Sequence, residues 1–135
     1  MATESSVVFL FDENSPRRLA RALRENLGEN AYHVYDVLHP SAPDEMVLRH
    51  AGERGWCMIS WDRRILRRPH ERAVLTDMGM GAFFVKETIT DFCRIVRTII
   101  RHWPEMKRIA RTQARPFIYL VTENGVKPMP KRNLG

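Results

Sequence analysis

The sequence predicts an α/β fold on a central, mainly parallel sheet that ends in a β-hairpin. Three observations predict it. Two short β-type runs, Val7-Val8-Phe9-Leu10-Phe11 and Trp56-Cys57-Met58-Ile59-Ser60-Trp61, each close on an aspartate, Asp12 and Asp62. Largely apolar runs of this length bounded by turn signals read as buried strands of a parallel sheet. Helical patterns with their own start and stop signals alternate with such runs. The last run, Phe117 to Thr122, meets Asn124-Gly125, a hairpin signal of the type I′ kind.

The elements follow in order. After the first strand, Ser15-Pro16 supplies an N-cap and a proline at the first helical position. Leu19, Leu23 and Leu27 then share one face until Gly28 stops the helix. Tyr32 to Tyr35 is the second strand. Ser41-Ala42-Pro43-Asp44 has the form of a capping box and opens a helix to about Arg54, with Met46, Val47 and Ala51 inward and Gly55 as the stop. The Asp62 strand follows, and residues 63–80 suggest a broken helix around Ala73-Val74-Leu75. Ala82 to Val85 is the fourth strand. Thr88-Ile89-Thr90-Asp91 opens the longest helix, with Ile89, Phe92, Val96, Ile99, Ile100 and Trp103 on one stripe. Pro104 must end or kink it before Met106, Ile109 and Ala110 continue helically. In the final strand Pro128 and Pro130 remove ladder donors, and residues 131–135 are expected to fray.

With 135 residues the chain fits one domain, 1–135, with a substantial core. No apolar stretch reaches the length of a membrane span and no signal-peptide pattern opens the chain, so a cytoplasmic protein is expected. Cys57 and Cys93 sit singly in apolar segments, which favours buried free thiols over a disulfide. The formal net charge is +6, and the 22 cationic residues include only four lysines. Arginine suits bidentate phosphate recognition, which raises the expectation of a polyanionic partner.

Strand carboxyl ends are where open α/β sheets bind ligands. A carboxylate there is costly to desolvate unless paired, hydrogen-bonded or metal-bound. Asp12 and Asp62 therefore suggest one shared site, with a divalent cation as the simplest partner. Asp44 and Glu45 begin the helix after the second strand and lie on the same rim; capping alone would also explain Asp44. Glu13 points away, and Asp77 reads first as an ordinary loop aspartate. Arg63, Arg64, Arg67 and Arg68 directly follow Asp62 and are candidates for a phosphodiester backbone. Arg17, Arg18, Arg21 and Arg24 read as a solvated helix face. His33, His39, His50, His70 and His102 lack metal-ligand spacing and read as surface or helix-face residues. No glycine-rich phosphate loop, nucleophile elbow or cysteine-zinc pattern is present.

Phe9-Leu10-Phe11-Asp12-Glu13-Asn14-Ser15-Pro16, the helix carrying Leu19 and Leu23, Pro43-Asp44-Glu45 and Ile59-Ser60-Trp61-Asp62-Arg63 together resemble a PIN-like domain. Arg115-Pro116-Phe117-Ile118, after the helix carrying Trp103-Pro104, is similar to the end of the small bacterial PIN-like proteins grouped with VapC-type toxins. The resemblance implies a three-layer α/β/α fold and a Mg²⁺- or Mn²⁺-dependent ribonuclease restrained by an antitoxin protein. It carries the catalytic and metal-binding roles to Asp12, Asp44 and Asp62, with Glu45 able to replace Asp44. Asn14 and Arg63 match accessory polar positions, and Arg64, Arg67 and Arg68 extend that substrate-binding set. The fourth acidic position has only Asp77 to offer.

Hard divalent cations prefer oxygen ligands, so the carboxylates suit such chemistry. Two rivals are an inactive PIN-like module that only binds nucleic acid and a phosphoreceiver domain. The Arg63-Arg64 pair and the terminal hairpin fit the second poorly. The Ile89–Trp103 stripe and the hairpin hold more apolar surface than one sheet face needs, which suggests a homodimer or antitoxin surface.

Overall fold

The computed structural model describes residues 7–130. Six strands form one sheet in the order β2-β1-β3-β4-β5-β6. They are β1 (Phe9–Phe11), β2 (Ala31–His33), β3 (Cys57–Ser60), β4 (Gly81–Val85), β5 (Phe117–Thr122) and β6 (Gly125–Pro128). The first five run parallel and β6 is antiparallel to β5. Helices α1 (Arg17–Leu27), α2 (Val34–Val37), α3 (Asp44–Glu53), α4 (Arg64–Arg67), α5 (Pro69–Asp77) and α6 (Phe92–Thr112) cover both faces.

Residue alternation divides the core in two. Phe9, Phe11, Cys57, Ile59, Phe83, Val85, Phe117 and Val121 point to one face, where Leu19, Leu23, Ile95, Ile99, Trp103 and Met106 of α1 and α6 meet them. Leu10, Met58, Ala82, Phe84 and Leu120 point to the other, against Val34, Val47, Leu48, Leu66, Val74 and Leu75 of α2–α5. Because helices cover both faces, β1, β3 and β4 are buried at every position, which is why the strands read as continuous apolar runs. The expected three-layer architecture is therefore present. No helix among the described residues is long and apolar enough to cross a membrane.

The connections have one unusual member. α1 carries the chain from β1 to β2 on one face, while α2–α3 and α4–α5 carry it the opposite way along the sheet on the other face, so all three crossovers share one hand. α6 moves in the direction of α4–α5 but lies on the face of α1, so its crossover has the opposite hand. Parallel crossovers of the minority hand are rare. The consequence is that α1 and α6 form one layer: the Arg18 guanidinium lies 3.8 Å from the Phe92 ring centre, and Lys107 pairs with Glu29 at 3.1 Å.

Two glycines have a clear steric task. Gly28 takes the left-handed conformation (φ 68°) that ends α1. Gly81 lies under Phe117, where an added Cβ would stand 2.3 Å from the ring carbon Cζ.

Several local expectations are corrected. α1 begins after Pro16 without a side-chain cap; Ser15 instead donates its hydroxyl to the Asp12 carbonyl at 2.6 Å. The Ser41–Asp44 capping box does not form, and Ser41 bonds His39. Leu27 (58%), Met46 (52%) and Ile100 (41%) are exposed rather than inward. Residues 34 and 35, expected in the second strand, belong to α2. α6 starts after Asp91, whose carboxylate accepts from Arg94 N–H, and it continues through Pro104 to Thr112. The terminal hairpin forms, but Thr122 pairs with Gly125 around Glu123-Asn124. Neither loop residue has positive φ, so the turn is not type I′. Cys57 is buried as expected, whereas Cys93 is exposed on the outer side of α6. The predicted fray of residues 131–135 lies outside the described residues.

Candidate active site

β1 and β3 are neighbours, with Phe11 opposite Ile59, and the Asp12 N–H continues the ladder by donating to the Ile59 carbonyl at 3.0 Å. This register sets Asp12 beside Ser60, with Asp62 two residues further along the rim. Ser60 links the two aspartates: its hydroxyl donates to Asp12 Oδ2 at 2.5 Å and accepts from the Asp62 N–H at 2.9 Å. Trp61 N–H also donates to Asp12 Oδ2, at 3.3 Å. Ser60 was not singled out from the sequence. Its signal was being the one polar residue inside an otherwise apolar strand.

Asp12 is 5% exposed, and its Oδ1 is buried without a hydrogen-bond partner. Burial raises its pKa to about 6, against the opposing hydrogen bonds from Ser60 and Trp61 and the lowering influence of the Asn14 backbone N–H, and with a small push from the Asp62 charge. Asp62 behaves differently. Arg64 grips it with Nε at 2.8 Å and Nη2 at 3.0 Å, and this pairing lowers its pKa despite partial burial. Asp44 starts α3 and accepts from Arg68 Nη1 at 3.1 Å; the same nitrogen reaches Glu71 at 3.0 Å.

Asp12, Asp44 and Asp62 line one cleft of about 30 Å³ with Asn14, Tyr35 and His39. That volume admits an ion with a water or two and leaves a nucleotide outside at the rim. Asn14 is exposed there. The remaining expected residues are placed elsewhere. Glu45 pairs with Arg49 at 3.1 Å and lines a separate groove with Met46 and His50. Asp77 ends α5, just before β4, and so lies at the amino edge of the sheet, opposite the cleft. Arg67 is exposed and lines a groove with Leu66 and Pro69, and Arg63 is half-buried with its Nε unpaired.

His33, expected at the surface, is 2% exposed instead because β2 ends beside the Asp12–Ser15 turn. Its Nδ1 accepts from Tyr35 N–H at 3.1 Å and its Nε2 faces the Ser15 carbonyl at 3.2 Å, the pattern of a neutral ring. Burial accordingly lowers its pKa. His33 thus fixes the turn that carries Asp12.

A family model described as PIN like domain matches residues 7–87, more than half of the chain, spanning β1 through β4. The chain belongs to the PIN-like domain family. Comparison with curated proteins and with solved structures returns no match. PIN-like domains are generally nucleases, and PIN domains typically use divalent metal ions. α6 and the hairpin lie beyond the matched segment.

The donor set fits such an ion. Asp12, whose Oδ1 is an orphaned buried oxygen, lines the cleft, and Asp44 and Asp62 line it with further hard oxygen donors. Among the described residues no three His, Cys, Asp or Glu side chains converge as a ready ligand group. Arg64 and Arg68 hold two of the three carboxylates.

Proposed function

We propose that this protein is a metal-dependent ribonuclease that hydrolyses RNA phosphodiester bonds at the Asp12 cleft, acting as the toxin of a toxin–antitoxin pair of the VapC type. The observation that carries the reading is the unpartnered Asp12 Oδ1, held on the carboxyl-end rim with Asp62 and Asp44 in a chain of the PIN-like family. An isolated buried carboxylate oxygen is unfavourable, and a cation would satisfy it.

Asp12, Asp62 and Asp44 would hold the ion, Mg²⁺ or Mn²⁺. When bound, the ion supplies charge neutralisation on the phosphoryl oxygens and activation of the attacking water. Ser60 keeps Asp12 and Asp62 in register by bonding both. Trp61 and the Asp12–Ser15 turn shield Asp12 from bulk water, so its charge is weakly screened. Arg64, whose side chain is 70% exposed, would release Asp62 to such an ion and be free to pair with a substrate phosphate. Arg68 would do the same for Asp44, and Asn14 at the rim offers an amide to the same backbone. Arg63 and Arg67 extend the contact.

The antitoxin assignment rests on the likeness to the VapC-type group stated above, while the family match itself covers residues 7–87. Of the Ile89–Trp103 stripe, Ile89, Ile99 and Trp103 are core residues and Ile100 is exposed, so an antitoxin or a second copy docking there would meet Ile100. A second reading has an observation in its favour: with Asp62 and Asp44 held by arginines, the fold could bind nucleic acid without cutting it. Incubation of labelled RNA with the protein separates the two. The account expects cleavage that requires a divalent ion and is lost in Asp12→Asn and Asp62→Asn. Cleavage that persists in EDTA, or that Asp12→Asn retains, overturns it. RNA binding without cleavage under any divalent ion establishes the second reading.

A further inference from the structure

The charge of this protein is not spread over its surface. α1 and α6 carry ten cationic side chains against two carboxylates, Glu25 and Glu105. The opposite layer with its connections, residues 34–78, carries seven arginines against seven carboxylates. The net positive charge of the chain therefore lies on one layer. It does so because the α6 crossover has the minority hand and sets that helix beside α1.

We propose that the outer face of the α1–α6 layer is a binding surface for the phosphodiester backbone of RNA. Arg97, Arg101, Arg108 and Arg111 follow one another along α6 at helical spacing, and all four are exposed. From first to last the stripe runs ~21 Å along the helix, long enough for several successive phosphates. Arg17, Arg94, Lys107 and Arg108 hold carboxylates. Arg18, Arg21, Arg97, Arg101 and Arg111 have no carboxylate within ion-pair distance among the described residues. Leaving guanidinium groups without an ion pair on one layer costs self-repulsion, which a polyanion would relieve.

The side-chain types favour a nucleic-acid backbone over an acidic protein. Nine of the ten cations are arginines, suited to two-pronged phosphate contacts. Protein interfaces gather aromatic and apolar anchors at their centre. This face exposes only Ile100 and Leu27 among large apolar residues and no aromatic platform, so it reads phosphates rather than bases.

The face and the cleft meet only at the rim, because the cleft opens toward α2–α4, whose Val34, Val47 and Ile65 line it. Both helices begin at the carboxyl rim, α1 five residues after Asp12, and Trp61 Nε1 donates to the Ile89 carbonyl just before α6 at 3.1 Å. A strand lying on α1 and α6 would cross the rim at Glu13 and Asn14 to reach Asp12. The arginines after Asp62 supply less free charge, because Arg64 and Arg68 are bound to Asp62, Asp44 and Glu71. The choice of RNA over DNA rests on the function proposed above.

The test is the binding of a fluorescently labelled single-stranded RNA oligonucleotide, measured by anisotropy across salt concentration without divalent ions. The variants are R97Q/R101Q/R111Q, the control R49Q/R54Q on the opposite layer, and Asp12→Asn, each checked for folding by circular dichroism. Each phosphate contact on a single strand contributes ~0.7 to the slope of log affinity against log salt, so the triple variant should lose about 2 from that slope. It should also bind at least tenfold more weakly at low salt, while the control binds like the wild type. Unchanged slope and affinity in the triple variant, an equal loss in the control, or a wild type that does not bind RNA would overturn the proposal. An acidic protein that binds through these arginines while RNA does not would overturn it in favour of a protein surface. Loss of cleavage in Asp12→Asn with binding intact bears on the catalytic reading alone, so the two fail separately.

Discussion

Replacing Asp12 with asparagine should stabilise the metal-free protein, and by an amount that depends on pH. Burial lifts the Asp12 pKa from 3.8 to about 6. In the unfolded chain the group loses its proton near pH 4, while in the folded chain it keeps the proton until about pH 6. Between those values the folded state binds more protons, so stability falls as pH rises, and above about 6 the loss is complete. At 1.36 kcal/mol per pKa unit the penalty is about 3 kcal/mol. With an unfolding entropy of ~2.1 cal/mol/K per residue, that corresponds to a Tm difference of roughly 10 °C. Asparagine keeps the acceptor for Ser60, and an unpaired amide nitrogen there would cost ~1–3 kcal/mol that does not vary with pH. The informative quantity is therefore the change in the Tm difference between pH 4 and pH 8, measured by circular dichroism in EDTA. His33, whose lowered pKa destabilises the fold toward acid, is common to both proteins and cancels. A Tm difference that stays constant across that range would refute the burial argument.

Other perturbations test separate parts of the account. Gly81→Ala should cost about 1–3 kcal/mol by driving a methyl into the Phe117 ring, measured by urea denaturation; an unchanged midpoint would show that the ring moves freely. Burial pushes the Cys57 thiol up to about 11, so iodoacetamide should modify Cys93 alone in the native protein and both thiols after unfolding, as mass spectrometry would show. Rapid native labelling of Cys57 would contradict its placement under Arg115. Arg64→Gln should strengthen Mn²⁺ binding by freeing Asp62, whereas an unchanged or weaker affinity would show that Arg64 does not compete with the ion.

The strands and the two rim aspartates were legible because parallel strands covered on both faces must be apolar throughout, and an aspartate ending such a strand stands out. The inner faces of α1 and α3 were read too widely: Leu27 and Met46 keep helical period but are exposed. Ser60 and His33 were missed because their importance depends on pairing between strands distant in sequence, Asp12 beside Ser60 and Phe11 beside His33. The partner of Asp44 was hidden for the same reason, since nothing local to Asp44 announces Arg68. The excess apolar content of α6 was visible as a stripe, but its burial depended on which face the crossover would choose. That choice also determined that the arginines of α1 and α6 would share one surface.

The claim that Asp12 anchors a cation site is tested most directly by titrating Mn²⁺ into the wild-type protein and into Asp12→Asn by calorimetry. The account predicts one cleft that binds in the wild type and at least tenfold weaker binding in Asp12→Asn, with Asp62→Asn behaving alike. Equal Mn²⁺ affinity in the wild type and both variants would contradict it.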